Sequence, residues 1–267
     1  MSNGGKRGKA MEYLYKTFIC FLAGTGAGLG TGFAGMSAAG IVSPLLLTFC
    51  GIPAYQAIGI GLASDILASA VSAWVYRKHG NLDIRNALVL ILSVLVMTIV
   101  GSYIASFLPD QAMGCMSQIG LLVIGIKFLV KPGRKAGKQV EESRRKKLVK
   151  SLAGGLFVGF ICGFVGAGGG MMLLFVLTSF LGYEIHMAVG TSVFIMAFTA
   201  AIGGVSHVYI GGLPDLYCLV CCVIFTLLWA RIASAIANRV SEIILCRIAG
   251  VVMVLTSGVV LLVNYVL

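Results

Sequence analysis

Eight apolar stretches, each separated from the next by turn or charge signals, constrain this chain more than any other feature. They run near 14–50, 55–76, 84–107, 112–130, 148–182, 186–209, 215–238 and 243–266. The hydrocarbon core of a bilayer is about 30 Å thick, which a helix crosses in about 20 apolar residues. Six of the stretches have that length. Lipid offers no partner for backbone N–H and C=O groups, so the spanning form must be helical or a closed barrel, and runs this long and continuous read as helices. Hydrophobic residues make up 59% of the chain and charged residues 11%, and the mean hydropathy is +1.01. A soluble sphere could not cover its surface with so few charges, and a disordered chain would carry far fewer apolar residues. An all-α integral membrane protein is expected.

The stretches 14–50 and 148–182 are too long for one ordinary crossing and are interrupted by glycine runs, so each is expected to be a broken helix. Lys6, Arg7, Lys9 and Lys16 before an apolar run have the look of a signal peptide. The run continues for more than thirty residues, however, and its counterpart recurs in mid-chain, so it is expected to belong to the mature fold. The formal charge of +11 has the same explanation as the spans. Nine of the 20 Lys and Arg lie between Lys131 and Lys150, four between Lys6 and Lys16, and Arg77, Lys78 and Arg85 flank Gly80. Basic clusters between apolar spans are what cytoplasmic loops carry, and no nucleic-acid partner is expected from them. With each stretch crossing once, the basic loops 77–85 and 131–150 fall inside. The prediction is eight crossings of the cytoplasmic membrane with both termini cytoplasmic, and Arg239 and Arg247 as mild exceptions at an outer turn.

Sliding the chain against itself by 131 residues pairs Gly24 with Gly155, Gly28 with Gly159, Gly32 with Gly163, Gly35 with Gly166, Gly51 with Gly182, Gly59 with Gly190 and Gly80 with Gly211. Composition alone would match roughly two, so the chain is internally repeated. Past Gly80 the register slips by one, at the insertion of Pro214. The expected organisation is a cytoplasmic N-terminus 1–13, a transmembrane repeat 14–130, a basic linker 131–147 and a second repeat 148–267. Four crossings per repeat make the two repeats parallel. If the broken stretches are full hairpins, each repeat crosses five times and the repeats are inverted.

Gly24, Gly28 and Gly32, like Gly155, Gly159 and Gly163, fall at four-residue spacing on one helix face. Small residues there let another backbone approach closely, which is packing rather than ligand binding. The tracts that follow are different. Gly35-Met36-Ser37-Ala38-Ala39-Gly40 and Gly166-Ala167-Gly168-Gly169-Gly170 are poor helix interiors, and Pro44 adds a further break. Irregular backbone at membrane depth survives only when it is buried in protein or faces a watery cavity. A helix restarting after such a tract aims free N–H groups and a partial positive charge forward. Two such starts meeting between the repeats would bind an anion without a formal charge. Gly30-Thr31-Gly32-Phe33-Ala34-Gly35 matches a dinucleotide fingerprint literally but lacks the strand and βαβ unit that give it meaning. No cofactor is expected.

The glycine tract after Gly163-Phe164-Val165-Gly166, its looser copy after Gly32-Phe33-Ala34-Gly35, and the paired elements Ala57-Ile58-Gly59-Ile60-Gly61 and Ala188-Val189-Gly190-Thr191-Ser192 resemble the sulfite exporter TauE/SafE family over essentially 14–267. The resemblance implies a transporter of small sulfur-containing or organic anions, such as sulfite or sulfonates.

Ionisable groups within a span cost a few kcal/mol on insertion scales. Asp65, mid-way along 55–76, could carry a coupling proton or cation, or make a structural hydrogen bond. Arg231 could hold an oxyanion in its planar fork or snorkel to the headgroups. Thr191 and Ser192 could donate beside the second tract or bond to their own backbone. The candidate substrate-binding set is Gly35, Ser37, Gly166, Gly168, Gly169, Gly170, Thr191, Ser192 and Arg231, with Asp65 as the coupling residue. Lys127 is expected to snorkel and His186 and His207 to be structural. The eight cysteines, including the Cys218-to-Cys221 pair, read as small packed hydrophobes with no metal site. A secondary transporter of a small anion is the expected function, not an enzyme. A scaffold subunit and a membrane-embedded enzyme are the alternatives, and the scattered histidines and acids do not favour the enzyme. The expected partners are the anion and the bilayer, with self-association into a homo-oligomer left open.

Overall fold

The computed structural model describes residues 3–105, 119, 122–123, 125–131, 149, 152–160, 169–211 and 214–265. Its long helices are α1 Asn3–Ala34, α2 Ala39–Cys50, α3 Ala54–Lys78, α4 Ile84–Ala105, α5 Gly169–Ser179, α6 Ile185–Gly211, α7 Leu216–Ala237 and α8 Glu242–Tyr265. Residues 125–130 and 152–160 are helical as well, and there is no strand among the described residues. Among the described residues five helices carry windows long and apolar enough to cross a membrane: Ala10–Ala34, Gln56–Lys78, Ile185–Gly204, Leu216–Ala237 and Glu242–Val259. The shorter Ala39–Cys50 and Ile84–Met97 are apolar too. Apart from Lys131, the linker expected over 131–147 lies outside the described residues, as does most of the stretch 112–130.

The first long stretch does not run through as one broken crossing. α1 ends at Ala34, and Gly35 takes a left-handed φ of 62° that a side chain would strain. The amides of Gly35 and Met36 turn back to the carbonyls of Thr31 and Gly30, which satisfies acceptors left open at the helix end. The chain then reverses. Ile41 of α2 lies against the α carbons of Gly26 and Gly30. At the far end of α2, Cys50 faces Lys16, Cys218 and Asp215. Residues 14–50 therefore form a helical hairpin whose two ends share one level. Pro44, expected to add a further break, sits inside α2; the interruption falls at Gly35–Ala38, within the expected tract. α3 returns antiparallel along α2, with Ser43 Oγ donating to the Ala57 carbonyl at 3.3 Å and Gly61 against Ala39.

Two sets of contacts mark the ends of the bundle. At one end Lys16 meets Asp215 at 3.4 Å, and Thr17 shares a 2.5 Å hydrogen bond with Tyr217. Asp215 also caps α7, accepting from the N–H groups of Tyr217 and Cys218, a preferred N-cap arrangement. At the other end Tyr183 donates to Asp83 at 2.7 Å and Asn81 to Asn238 at 2.7 Å. His186 Nε2 lies 3.0 Å from the Ala237 carbonyl, a structural position as its isolation suggested. A single crossing for every stretch would put residues 83 and 183 on opposite faces, and likewise 16 and 50. The contacts bring each pair together, so the structure does not bear out eight single crossings. Burial of Tyr183 and the neighbouring Asp83 carboxylate push its phenol well above the usual range, which keeps it a donor in this loop contact.

The glycine stripes do what their spacing predicts. Gly24, Gly28 and Gly32 of α1 lie against α7 at Phe225, Thr226 and Ala233, while Gly155 and Gly159 lie against α4 at Ser93 and Val94. The contacts correspond: moving Gly155–Ser93 by 131 and 132 residues gives Gly24–Phe225. The first helix of each half thus packs on the third apolar stretch of the other. The α3–α6 interface, also between repeats, forms the centre.

Candidate functional site

The centre of α3 carries a polar stripe. Ser64, Asp65, Ser69 and Ser72 are all buried, and 65, 69 and 72 recur at the three- and four-residue spacing of one helix face. Asp65 is only 1% exposed and stands near the middle of α3. Its carboxylate accepts hydrogen bonds from Ser37 Oγ at 2.6 Å, Ser69 Oγ at 2.8 Å and the Ala38 backbone N–H. Ser37 and Ala38 are the last residues before α2. The amide end of α2 thus receives an anion, as the dipole argument requires, but that anion is the chain's own carboxylate. Charge-assisted bonds contribute roughly 1.5–3 kcal/mol each, which helps offset burying the carboxylate. Among the described residues no Lys, Arg or His pairs with it.

The two tracts come together here. Gly170, the second residue of α5, lies against the carbonyl oxygen of Gly35 and Met196 Sδ. Ser192 Oγ fills the space toward which a side chain on Gly35 would point. Gly169 and Gly170 open α5, so the second restart is aimed at the tip of the first hairpin. Gly166 and Gly168 lie outside the described residues. Met196 stands 131 residues beyond Asp65, and Gly168 and Ala200 correspond to Ser37 and Ser69. The second half therefore has no carboxylate at the place that plugs the first.

The remaining candidates are spread out. Thr191 and Ser192 are fully buried. Ser192 donates to the Val189 carbonyl at 2.9 Å, the local backbone bond expected of a helical serine, and Thr191 accepts the Asp83 N–H at 3.3 Å. Arg231 lies on an exposed face of α7, away from the buried stripe and without an ion pair among the described residues. Lys127 does reach outward at a helix end, over the Phe175 ring at 4.5 Å. Ser64, Ser69, Ser72 and Tyr76 were not singled out from sequence. Tyr76 is fully buried and donates to the Gly32 carbonyl at 2.9 Å. Asp65-x-x-x-Ser69-x-x-Ser72-x-x-x-Tyr76, a polar face within an apolar span, is the signal that could have found them. No group of His, Cys, Asp and Glu able to hold a metal occurs among the described residues.

The sequence profile of the sulfite exporter TauE/SafE family matches residues 20–260. This chain belongs to that family. Among its relatives, the probable membrane transporter protein YdhB of Bacillus subtilis is 25% identical over 208 residues, covering 78% of this chain and 84% of the relative. The probable membrane transporter protein YunE of the same organism is 24% identical over 226 residues, covering 78% and 83%. No solved structure matches. Membership in the TauE/SafE family, with several apolar helices long enough to span, makes the chain a multi-pass membrane transporter rather than an enzyme. The family match includes both glycine tracts and the whole polar stripe of α3.

Proposed function

We propose that the chain is a secondary transporter of a small anion, of the sulfite, sulfonate or small carboxylate class. The anion would bind where the two glycine tracts meet, beside Gly35, Ser37, Gly166, Gly168, Gly169, Gly170, Thr191 and Ser192. The observation that carries this reading is the asymmetry of the two restarts. The amide end of α2 is held by Asp65, whereas α5 opens onto the same region with Met196 in the corresponding position. The unplugged amide end receives the substrate anion. Asp65, fixed by three donors and by no cation, is the coupling residue: a proton or small cation taken up there frees Ser37 and Ala38 to turn toward the substrate. Arg231, on the exposed face of α7, acts as an electrostatic guide rather than as a ligand. With a negative cytoplasm an exported anion gains about 2.3 kcal/mol per charge per 100 mV, so coupling matters chiefly for uptake.

Flux into vesicles under imposed potential and pH or sodium gradients tests this, with sulfite, sulfonates and carboxylates as substrates. Asp65→Asn should cut gradient-driven accumulation at least tenfold and leave exchange of labelled for unlabelled anion within about threefold. Accumulation by the variant with an unchanged response to every gradient would remove Asp65 from coupling.

The same reading includes an inverted topology of five stretches per repeat, with the first hairpin descending from the Lys16 end and the second from the Asp83 end. The corresponding acids Asp83 and Asp215 stand at opposite ends, which supports an axis in the membrane plane. Sixteen of the twenty Lys and Arg, including Arg239 and Arg247, then belong to the Asp83 end. The positive-inside rule assigns that end to the cytoplasm and the residues around Glu12 to the outer face, the reverse of the eight-crossing expectation. Membrane-impermeant maleimide applied to intact cells should label Glu12→Cys and spare Glu184→Cys in a background without native cysteines. The opposite pattern would restore cytoplasmic termini.

A further inference from the structure

Away from the meeting point of the tracts, a cleft of about 780 Å³ opens at the Asp83 end, between residues 127–131, the end of α5 and the starts of α6 and α8. Its lining includes the charged residues Lys127, Lys131, Glu184 and Glu242, with Thr178, Ser179 and Tyr183 among the other polar ones. Two ammonium groups and two carboxylates thus face one cavity. None of the four is in an ion pair among the described residues, where the ion pairs are those of Lys16. The Lys127 ammonium is held in place, 3.3 Å from Ser179 Oγ and over the Phe175 ring. Opposite charges around one space that do not pair with each other are complementary to a ligand that carries both signs a few ångströms apart.

The rim identifies where such a ligand would come from. Ile126, Val130, Phe180 and Ile243, beside the charged lining, are each about half exposed or more. Exposed apolar side chains next to charged ones at the ends of spanning helices are the surroundings of a lipid at the headgroup boundary. We propose that this cleft binds a phospholipid whose headgroup joins a phosphate to a primary amine, with the phosphate on Lys127 and Lys131 and the amine on Glu184 and Glu242. A phosphoglycerol headgroup would leave the two carboxylates facing an anion. A phosphocholine headgroup would bring a cation with no N–H to donate to them. The site is independent of the transport reading.

The test uses the full chain, delipidated in detergent, and follows thermal unfolding on adding phosphatidylethanolamine, phosphatidylglycerol or phosphatidylcholine of identical acyl chains. Soluble phosphoethanolamine forms a fourth arm. Phosphatidylethanolamine is expected to raise the melting temperature by about 5 °C, and the other two lipids by less than about 1 °C. The double variants Glu184→Gln/Glu242→Gln and Lys127→Gln/Lys131→Gln should each erase that difference. Should either fail to fold, native mass spectrometry of the unaltered protein replaces it. One phosphatidylethanolamine retained in preference to the other lipids supports the site. Equal retention or equal stabilisation by phosphatidylcholine overturns it, as does an undiminished shift in both double variants. The same shift from the soluble headgroup alone would assign the cleft to a soluble phosphoamine and overturn the lipid.

Discussion

Leucine in place of Gly28 should leave no folded protein, and alanine there should lower stability by about 2 kcal/mol, within the range for overpacking a tight contact. A Cβ on Gly28 would stand 2.6 Å from the Thr226 carbonyl oxygen, 2.7 Å from Trp229 Cβ and 2.8 Å from the Ala230 nitrogen. Two of these are backbone atoms of α7, which cannot step aside as the end of a flexible side chain can. The helices must separate, and the contacts of Gly24 and Gly32 loosen with them. Gly258 is the control, since a Cβ there meets nothing within 4 Å; alanine should be neutral or stabilise α8 by up to about 1 kcal/mol. Thermal unfolding in detergent, read by size-exclusion chromatography, checks both. A Gly28→Leu protein that melts with the unaltered one would mean that α1 and α7 do not pack through this stripe.

The second large effect separates transport from packing. Gly170→Ala should reduce anion flux at least tenfold while costing less stability than Gly28→Ala. The new methyl group would meet the Gly35 carbonyl oxygen and Met196 Sδ. The methionine sulfur can swing away, but the carbonyl belongs to the turn that carries Ser37 and Ala38 to Asp65. Displacing it disturbs the proposed site while most of the bundle keeps its contacts. Flux per folded molecule, measured in vesicles beside melting temperature in detergent, distinguishes the cases. Full flux with a stability loss as large as that of Gly28→Ala would make the meeting of the tracts a packing device and sink the proposed anion site.

Much of this arrangement was legible in the residues. The apolar stretches gave the helices, because a span needs length and composition that little else supplies. The stripes of Gly24, Gly28 and Gly32 announced a close backbone approach, and the 131-residue offset anticipated that Gly24 and Gly155 would find corresponding partners. The return of α2 was not legible. Ala39–Cys50 is too short to read as a span and too apolar to read as a loop, so it merges with the stretch before it. Its packing against Gly26 and Gly30, and its end near Lys16, show the reversal. Arg239 and Arg247, awkward at an outer turn in the eight-crossing reading, are accommodated by the proposed inverted topology. Asp65 was found as an acid in an apolar span and Ser37 as a candidate beside the first tract, but neither their contact nor the Ser69 hydroxyl was foreseen. Ser37 is twenty-eight positions away, and a turn that brings two such groups to 2.6 Å leaves no periodicity in the chain. Arg231 attracted attention for its charge, yet charge at a helix surface does not say which way the surface faces.

The exchange of partners between the halves also bears on how the protein is made. Gly28 leaves the ribosome almost two hundred residues before Thr226, the group it rests on. At about 5–20 residues per second the first hairpin waits roughly 10 to 40 s in the membrane with its glycine face uncovered. Its assembly is therefore completed late in synthesis, after α7 has inserted, and a translational arrest upstream of α7 would strand a hairpin with no surface to close upon.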